Sequence, residues 1–253
     1  MVTTHGLDET DARPSDRTPG RRARLRRETT EQIKRRAWEL IARSGAGALS
    51  LREVARAMDM APSALYRYFD SRDALLSALI VEGYDSLTEQ LRACYDELHA
   101  DPEISNLEVF LGVSHAHRRW ALENPPRWQL LYATTLSDYE GDNETTRSGM
   151  AAIAVLMQVL ADTLTAGEID VAAIDATIDD DFRAALAGFG EKGTGFPAAA
   201  LAAAMWYWTT LHGVITLEVN HHLPPSLCGN GALLDSTIRA MARVIMPASE
   251  HAA

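Results

Sequence analysis

Cysteine is nearly absent from the 253-residue sequence, which contains only Cys94 and Cys228. Two cysteines are too few for a disulfide framework, and the spacing between them is not that of a metal site. The first 20 residues are polar, carry acids and prolines, and lack an apolar run. They do not resemble a signal peptide, and we expect them to be disordered. These absences favour a cytoplasmic protein without a membrane partner.

Motifs of catalysis are also missing. The sequence has no Gly-rich phosphate loop, no nucleophile elbow and no Cys/His spacing typical of a zinc finger. His115 and His117 are two residues apart, so they face different ways on a helix. Glu218, His221 and His222 have a spacing that could converge on a metal, but they lie at a predicted helix end. We therefore expect no enzymatic activity, no metal and no cofactor.

Charge is unevenly distributed along the chain, whose formal net charge is -11. Residues 21–72 hold 13 basic and 6 acidic side chains, whereas the residues from Asp73 onward hold 9 basic and 25 acidic ones. A positive N-terminal part on an acidic body favours a polyanion partner at one end only. An arginine-rich helix face that is merely solvated would give the same count, and charge alone does not separate the two.

Three short helical patterns occupy this basic part. The first stops at the glycines 45 and 47, and the second starts with Ser50 and Glu53 at the spacing of a capping box. Pro62, which a first helical turn tolerates, begins the third. A joint of only residues 59–61 can hold the third helix out from the body, where a DNA groove would admit it. The positions expected to be buried are Ile33, Ala37, Leu40, Ile41, Leu51, Val54, Ala55, Met58, Leu65 and Phe69.

The rest of the chain also reads as helices, because no alternating strand pattern occurs. A long fourth helix is predicted from Asp73 to Leu98, followed by a helix over 104–122 and a short turn around Trp128. Residues 136–146 are predicted to be a surface loop and 170–196 a weak acidic helix. Between them runs an apolar stripe of Met150, Ile153, Ala154, Met157, Leu160 and Leu164.

These patterns predict an all-α protein. We expect a disordered, basic-ended tail at 1–22, a three-helix helix-turn-helix domain at 23–72 and a larger helical domain at 73–253.

Residues 196–217 contain no Asp, Glu, Lys or Arg. The run is long enough to cross a membrane, but it is rich in alanine and includes Thr209, Thr210 and His212, so we expect a buried helix instead. Paired with residues 233–245, this helix would make a subunit interface. A helix central to the monomer's own core would have the same composition, and both readings stay open.

The basic part of the sequence contains four features in a fixed order: an amphipathic helix, Ser50-Leu-Arg-Glu-Val-Ala, Pro62-Ser-Ala-Leu-Tyr-Arg-Tyr-Phe and Ser71-Arg-Asp-Ala-Leu. This order closely resembles the DNA-binding head of TetR-family transcriptional regulators. The second part of the sequence resembles the ligand domain of one TetR subgroup, which is marked by a Trp and a His-Gly pair. The matching residues here are Asn124-Pro-Pro-Arg-Trp, Trp208 and His212-Gly213. The resemblance implies an all-α homodimer, in which the larger domain dimerises, binds a small-molecule effector and thereby releases operator DNA. At Tyr68 the sequence departs from the family, which frequently has His there.

Residue chemistry within the third helix suits DNA. The Tyr66 and Tyr68 hydroxyls can reach phosphates, Arg67 can fork onto a guanine edge, and small side chains let the backbone approach the bases. The resemblance adds Arg52 and Arg72 as phosphate contacts. The complete predicted DNA-binding set is Ser50, Arg52, Pro62, Ser63, Ala64, Tyr66, Arg67, Tyr68 and Arg72.

A cluster of arginines precedes the predicted first helix and could follow a minor groove as an arm, although a solvated tail would have the same composition. These arginines are Arg21, Arg22, Arg24, Arg26 and Arg27.

The effector site is predicted from the subgroup resemblance to include Trp128, Tyr132, Trp208 and His212. A few polar groups among aromatic rings is what a small-molecule site needs, yet each of these residues could equally be ordinary core. The sequence thus favours a ligand-responsive regulator, most simply a repressor. An α-helical enzyme or a protein-binding scaffold with an incidental basic head is the alternative.

Overall fold

The computed structural model describes residues 20–134, 139–190 and 196–247, and all regular structure in these ranges is helical. The predicted all-α class is confirmed. The helices are α1 (Arg21–Ser44), α2 (Leu51–Ala57), α3 (Pro62–Leu65), α4 (Arg72–His99), α5 (Asn106–Glu123), α6 (Pro125–Trp128), α7 (Asn143–Thr165), α8 (Val171–Thr177), α9 (Asp180–Gly190), α10 (Ala198–Val219), α11 (Pro225–Cys228) and α12 (Ala232–Ile245). A π-helical turn, Gln129–Ala133, continues α6.

A first apolar core lies between α1, α2, α3 and the beginning of α4, and we call this part the head. Eight of the ten positions predicted to be buried in it are buried, while Leu40 and Met58 are half-buried. Leu75, Leu76 and Leu79 of α4 complete the core without any exposed surface. Because each such side chain stabilises the fold by about 1.5–3 kcal/mol, the start of α4 is part of the head's stability.

Side-chain caps define where the head's helices begin. The Ser50 hydroxyl accepts a hydrogen bond from the Glu53 N–H at 3.2 Å, as the predicted capping box requires. The Glu53 carboxylate lies instead 3.7 Å from Arg56, so only half of the box forms. At the start of α4 the cap is Ser71, which accepts from the Ala74 N–H at 3.0 Å, so α4 begins one residue before the predicted Asp73.

Arg72 is half-buried and bonds to the backbone of the head. Its Nε donates to the Leu49 carbonyl at 2.9 Å and its Nη2 to the Ala46 carbonyl at 3.2 Å. Both carbonyls belong to the connection between α1 and α2. The guanidinium therefore holds this connection against α4, while its Nη1 lies 3.6 Å from the Asp73 carboxylate and 30% of the side chain stays exposed.

The arginines predicted to form an arm are helical. α1 begins at Arg21, so Arg21 to Arg27 form its first two turns and do not precede it. All five arginines are exposed, and the first buried residue of α1 is Ile33. This part of α1 therefore projects past the head's core as a basic helical extension. The predicted disorder of the preceding residues lies outside the described part of the chain.

The larger domain is built on α4, which packs against α5 and α7, with α10 and α12 on the far side of α5. Leu87 and Leu91 of α4, Phe110 and Trp120 of α5, and Leu211 of α10 are among its buried residues. A complete capping box of Ser105 and Glu108 begins α5, two residues after the predicted start at position 104. The predicted weak helix at 170–196 is two helices, α8 and α9, within its described residues.

Of the apolar stripe predicted for α7, Leu160 is buried and the other five members are not. The side of α7 that is buried carries Ala152, Val155, Leu156, Val159 and Leu160. Met150 is 55% exposed, Ala154 is exposed, and the predicted stripe residues Ile153, Met157 and Leu164 are only half-buried. Since α7 is apolar on two faces, periodicity could not show which face meets α4. The loop prediction for 136–146 also changes, because Asp142 caps α7 and residues 143–146 are helical.

α10 is buried on all sides only at its start, over residues 199–203. From there, buried residues recur every fourth position, at Tyr207, Leu211, Ile215 and Val219. The opposite side is exposed at Met205, Thr209, Gly213 and Leu217. α10 is therefore a core helix on one side, as one of the two readings had it, and a surface helix on the other.

One helix of the described ranges, α7, has the length and composition of a membrane-crossing segment. Its most apolar 18-residue window has a mean hydropathy of 1.4, and 39% of that window is buried in the monomer. The charge-free run that the sequence suggested as a span, now part of α10, does not meet the same test. A single helix of this kind is also typical of the core of a soluble protein.

Replacing Arg72 tests its role inside the head. Arg72→Met removes two hydrogen bonds to partly buried carbonyls, so we expect the free energy of unfolding to fall by about 1–3 kcal/mol in urea denaturation. Arg52→Met, on the exposed face of α2, is the matched control and should change it by less than about 0.5 kcal/mol. Equal stability of the two variants would contradict this role.

Candidate functional site

The surface that could meet DNA is formed by α2, a tight turn and α3. Asp59 has a φ of 52°, a left-handed conformation that aspartate tolerates better than most residues. This conformation turns the chain sharply, and the Met60 N–H then donates to the Ala55 carbonyl at 2.9 Å. The two helices are therefore held at an angle, with α3 on the outside of the head, as a helix-turn-helix requires.

Most of the residues predicted to bind DNA lie on the outer side of this unit. Pro62, Ser63 and Arg67 are exposed, and the Tyr66 side chain is 49% exposed. Ala64 and Tyr68 are half-buried, while Leu65 and Phe69 point into the core as expected. α3 ends at Leu65, so Tyr66, Arg67 and Tyr68 follow it in a turn rather than in a continued helix.

Arg26 of the basic extension touches this turn, a contact that the sequence did not indicate. Its Nη2 donates to the Arg67 carbonyl at 2.9 Å, and its guanidinium lies 5.2 Å from the centre of the Tyr68 ring. A cation over an aromatic face is attracted by the ring's negative potential. Arg26 therefore connects the extension of α1 to the residues that follow α3 and favours this orientation of the Tyr68 ring.

Two further predicted residues flank the unit at the start of α2. Arg52 is exposed on the outside of the head. Ser50 is half-buried, and its hydroxyl accepts from the Glu53 N–H, which leaves the hydroxyl proton able to donate to a phosphate. Arg72 is also half-buried, and two of its guanidinium nitrogens bond to carbonyls of the head.

The four residues predicted for the effector site are brought together in the larger domain. Their rings are in contact with one another. The ring centroids of Trp208 and His212 are 3.7 Å apart. The Tyr132 centroid lies 4.6 Å from that of Trp128 and 4.6 Å from that of His212. Trp128 and His212 are nearly parallel, with an interplanar angle of 21°. Trp128 of α6 and Tyr132 of the π-helical turn supply two of the rings, and α10 supplies the other two. The fold thus brings together two segments that are distant in sequence.

His117 of α5 is a fifth member, which the sequence analysis missed. Its ring centroid lies 5.1 Å from that of His212 and 5.5 Å from that of Trp128. His117 shares the buried face of α5 with Val113 and Trp120, so helical periodicity could have placed it inside. We call the five side chains His117, Trp128, Tyr132, Trp208 and His212 the aromatic–histidine cluster.

Several polar atoms of the cluster are buried without a hydrogen-bond partner among the residues that the structure describes. They are both ring nitrogens of His117, the Trp128 Nε1, the Tyr132 hydroxyl and the His212 Nε2. An unpaired buried polar group costs about 1–3 kcal/mol, so most proteins supply a partner. Five such atoms in one cluster mean that the fold leaves this hydrogen-bonding capacity unused.

Burial also keeps the cluster uncharged. It holds the pKa of His117 well below its usual range, assisted by the nearby His212, and lowers the pKa of His212 to about 4 against the opposing hydrogen bond to the Trp208 carbonyl. Burial raises the pKa of Tyr132 well above its ordinary value, with Tyr84 contributing. Both histidines are therefore neutral and the tyrosine is protonated at neutral pH.

The π-helical turn Gln129–Ala133 joins this cluster to the head. Tyr132 belongs to the cluster, whereas Leu130 is buried in the core of the head and Leu131 packs against both cores. A Cβ atom on Gly83 of α4 would lie only 3.3 Å from a Leu131 methyl, so the missing side chain lets the turn sit close to α4. π-helical turns are rare and occur frequently at functional sites.

Glu82 of α4 connects the same region to α1. One carboxylate oxygen accepts from the Trp38 indole N–H at 3.0 Å and from Arg127 of α6 at 2.9 Å, while the other lies 2.8 Å from the Lys34 ammonium. Arg127 also lies over the Trp38 ring, 5.2 Å from its centre. Burial opposes the charge on Glu82, but these donors outweigh it and lower its pKa. We call Lys34, Trp38, Glu82 and Arg127 the Glu82 network, beside which opens a cleft of about 450 Å³.

The possible metal site at the end of α10 does not assemble. Glu218 is paired with the Arg118 guanidinium, whose Nε donates to it at 2.7 Å, and both side chains are largely buried. In the ranges that the structure describes, no group of three or more His, Cys, Asp and Glu side chains is placed to hold a metal ion.

Comparison with known proteins bears on both parts of the molecule. Residues 33–79 match the family model described as bacterial regulatory proteins, tetR family, and residues 110–241 match that of the Tetracyclin repressor-like C-terminal domain. The HTH-type transcriptional regulator Rv1816 of Mycobacterium tuberculosis (strain ATCC 25618 / H37Rv) is 31% identical over 237 residues, which cover 89% of this chain and 96% of Rv1816.

Solved structures agree with this assignment. The crystal structure of SCO4313, described as a regulatory protein, has a TM-score of 0.67 and 33% identity, covering 86% of this chain and 97% of that one. The transcriptional regulator FadR from Bacillus subtilis, solved in complex with stearoyl-CoA, has a TM-score of 0.58 at 15% identity. The match covers 85% of this chain and 97% of the FadR chain. At that identity the likeness to FadR concerns the fold alone. By its helix-turn-helix head, its larger helical domain and these matches, the chain belongs to the TetR family of DNA-binding transcriptional regulators.

Proposed function

We propose that the chain is a homodimeric repressor that leaves an inverted-repeat operator when a small molecule binds the aromatic–histidine cluster. The observation that carries this proposal is the shared π-helical turn, which contributes Tyr132 to the cluster and Leu130 to the core of the head. A ligand that displaces Tyr132 would therefore act on a segment that also packs against the head. The FadR complex with stearoyl-CoA supports the idea that this fold can hold a small ligand.

DNA recognition is assigned to the exposed residues around α3. Arg67 would read a guanine edge, and Tyr66 would contact a phosphate or a thymine methyl. Pro62, Ser63 and Ala64 would allow close approach to the bases, while Ser50 and Arg52 would position the head on the phosphates. Tyr68, held under Arg26, would offer its hydroxyl at the edge of the same surface. Arg72 is not part of this assignment.

Dimerisation is assigned to the outward faces of α7 and α10. The sequence suggested α10 with residues 233–245 of α12, which pack against α10 within the monomer; α7 takes the place of α12 in this proposal. Met150 and Ile153 of α7, and Met205 and Leu217 of α10, are apolar residues with exposed or half-exposed side chains. Gly213 lies on the same exposed side of α10, and a Cβ atom there would meet no atom within 4 Å. A mid-helix glycine is destabilising by about 0.5–1 kcal/mol relative to alanine, so the monomer alone gives no reason for it. Close approach of a partner helix at Gly213 would supply one.

Release of DNA would follow from a change in the spacing of the two heads. In a dimer the two α3 segments must meet successive major grooves about 34–36 Å apart, or a small multiple of that distance. The π-helical turn and the Glu82 network connect the cluster to α4 and α1. Displacement of Tyr132 would therefore tilt α4, and the spacing would no longer fit the operator.

The assigned DNA contacts separate into specific and general ones. With a duplex selected from a random library, Arg67→Ala should cost about 1–3 kcal/mol of binding free energy and relax preference at one base pair per half-site. Arg52→Gln should weaken all duplexes alike and lower the slope of log affinity against log salt by about 1. Gel-shift titrations at several salt concentrations measure both effects.

The control for these variants is Arg92→Gln, an equal change of charge on the exposed side of α4 in the larger domain. It should leave affinity and salt slope unchanged. If Arg67→Ala binds the selected duplex as tightly as the unchanged chain, the assignment of α3 as the reading element is wrong.

The dimer assignment predicts that a larger side chain at Gly213 weakens the dimer without disturbing the fold of the monomer. Gly213→Leu should leave helical content unchanged, because the monomer has room for the side chain, but should raise the dimer dissociation constant by about tenfold or more through steric overlap. Sedimentation velocity measures the dissociation constant and circular dichroism the helical content. Ala93→Leu, at an exposed position of α4 outside the faces assigned to the interface, should remain dimeric. An unchanged dimer in Gly213→Leu would place the interface elsewhere.

A further inference from the structure

We infer that the effector is a neutral, flat aromatic molecule that carries both a hydrogen-bond donor and an acceptor on its edge. This inference rests on the proposed function and names the ligand class of the same cluster. It follows from the unpaired polar atoms, from the absence of charge among the five side chains and from the geometry of their rings.

The unpaired atoms specify which hydrogen bonds a ligand must offer. His212 Nδ1 lies 3.0 Å from the Trp208 carbonyl, which can only accept, so Nδ1 carries the proton and Nε2 of the neutral ring is an acceptor. The Trp128 Nε1 is a donor, and the Tyr132 hydroxyl can donate or accept. Neutral His117 offers one donor and one acceptor. The cluster thus presents both kinds of group, and a hydroxyl or an amide on a ligand could satisfy several of them.

Charge on the ligand is disfavoured by the same surroundings. None of the five side chains carries a charge at neutral pH, since both histidines are neutral and Tyr132 is protonated. A carboxylate, phosphate or ammonium group placed among them would be buried without a counter-charge, which is far more costly than burying a neutral polar group. The cluster should therefore reject the ionised form of a ligand whose neutral analogue it accepts.

The rings favour an aromatic ligand over an aliphatic one. The cluster already consists of stacked and edge-to-face contacts, with Trp128 and His212 at 21° and Tyr132 and His212 at 66°. A flat aromatic ligand that enters between two of these rings can stack on both of them. An alkyl chain has no ring quadrupole and cannot replace the ring–ring contacts that are lost. Tyr84 meets Tyr132 edge-on at 5.9 Å and also lines a surface cleft of about 340 Å³. Tyr84 therefore contacts both a surface cleft and the cluster.

The test uses a matched pair of probes, 2-naphthol and 2-naphthoate, which share a ring system and differ in charge at neutral pH. Isothermal titration of the full chain should show binding of 2-naphthol, with 2-naphthoate weaker by about tenfold or more. 1-Decanol, a neutral aliphatic alcohol, should bind more weakly than 2-naphthol by about tenfold or more, and equal binding would contradict the aromatic preference. Equal or tighter binding of 2-naphthoate, or no binding of 2-naphthol, would overturn the inferred class.

A pair of histidine variants locates the binding. His117→Phe preserves a ring of similar size and removes both unpaired nitrogens, so it should weaken 2-naphthol by about tenfold while the thermal midpoint stays equal or rises. His115→Phe, two residues away and outside the cluster, is the control and should bind 2-naphthol as the unchanged chain does. Retained 2-naphthol binding in His117→Phe would show that the probe sits elsewhere and would overturn the inference.

Failure of the inference and failure of the proposed function give different results. If the chain binds a selected duplex but prefers 2-naphthoate, the repressor proposal stands and the ligand class is wrong. If 2-naphthol binds in a His117-dependent manner but no duplex is selected, the site and its chemistry stand and the repressor proposal is wrong.

Discussion

The architecture depends on one short segment that is buried in two cores. Leu130 is 4% exposed inside the head, and two residues later Tyr132 lies among the rings of the larger domain. Both side chains project from the π-helical turn Gln129–Ala133, so neither core can rearrange there without affecting the other. Because packed cores change between discrete arrangements rather than deforming continuously, such a segment is suited to transmit a change. The Glu82 network adds a polar connection at the same place, through Arg127 on one side and Lys34 and Trp38 on the other.

The aromatic–histidine cluster shows the opposite of an optimised core. A core built only for stability would pair its buried polar atoms or replace them with apolar groups, because each unpaired atom is costly. Nearby, Ser114 and Tyr207 do pair, with their hydroxyls 2.9 Å apart, and Trp120 donates to Ser86 at 3.1 Å. The contrast between these satisfied groups and the unpaired nitrogens of His117 marks the cluster as different in kind from the core around it. A site that exchanges internal contacts for ligand contacts has this character.

α10 combines three tasks on one helix because its faces are distinct. Trp208 and His212 reach the cluster, Tyr207, Leu211 and Ile215 are buried in the core, and Gly213 is exposed on the remaining side. The neighbouring His-Gly pair thus divides between two faces, with the histidine in the aromatic–histidine cluster and the glycine on the exposed side that we propose meets a partner subunit. Binding at the cluster and contact between subunits would then share a single rigid element, which would couple them.

Local sequence was enough to define the helical class, the head and the members of its core. There, caps such as Ser50, the glycines after α1, Pro62 and a single amphipathic period all agree, so little depends on distant residues. Packing decided what those rules leave open: which apolar side of α7 is buried, that Arg72 bonds to carbonyls of the head, and that His117 joins rings 11 to 95 positions further along the chain. Each of these depends on which surfaces meet in three dimensions. The residue type and its position in a helix determine which interactions a side chain can make. Which partner it meets depends on how the helices pack against one another.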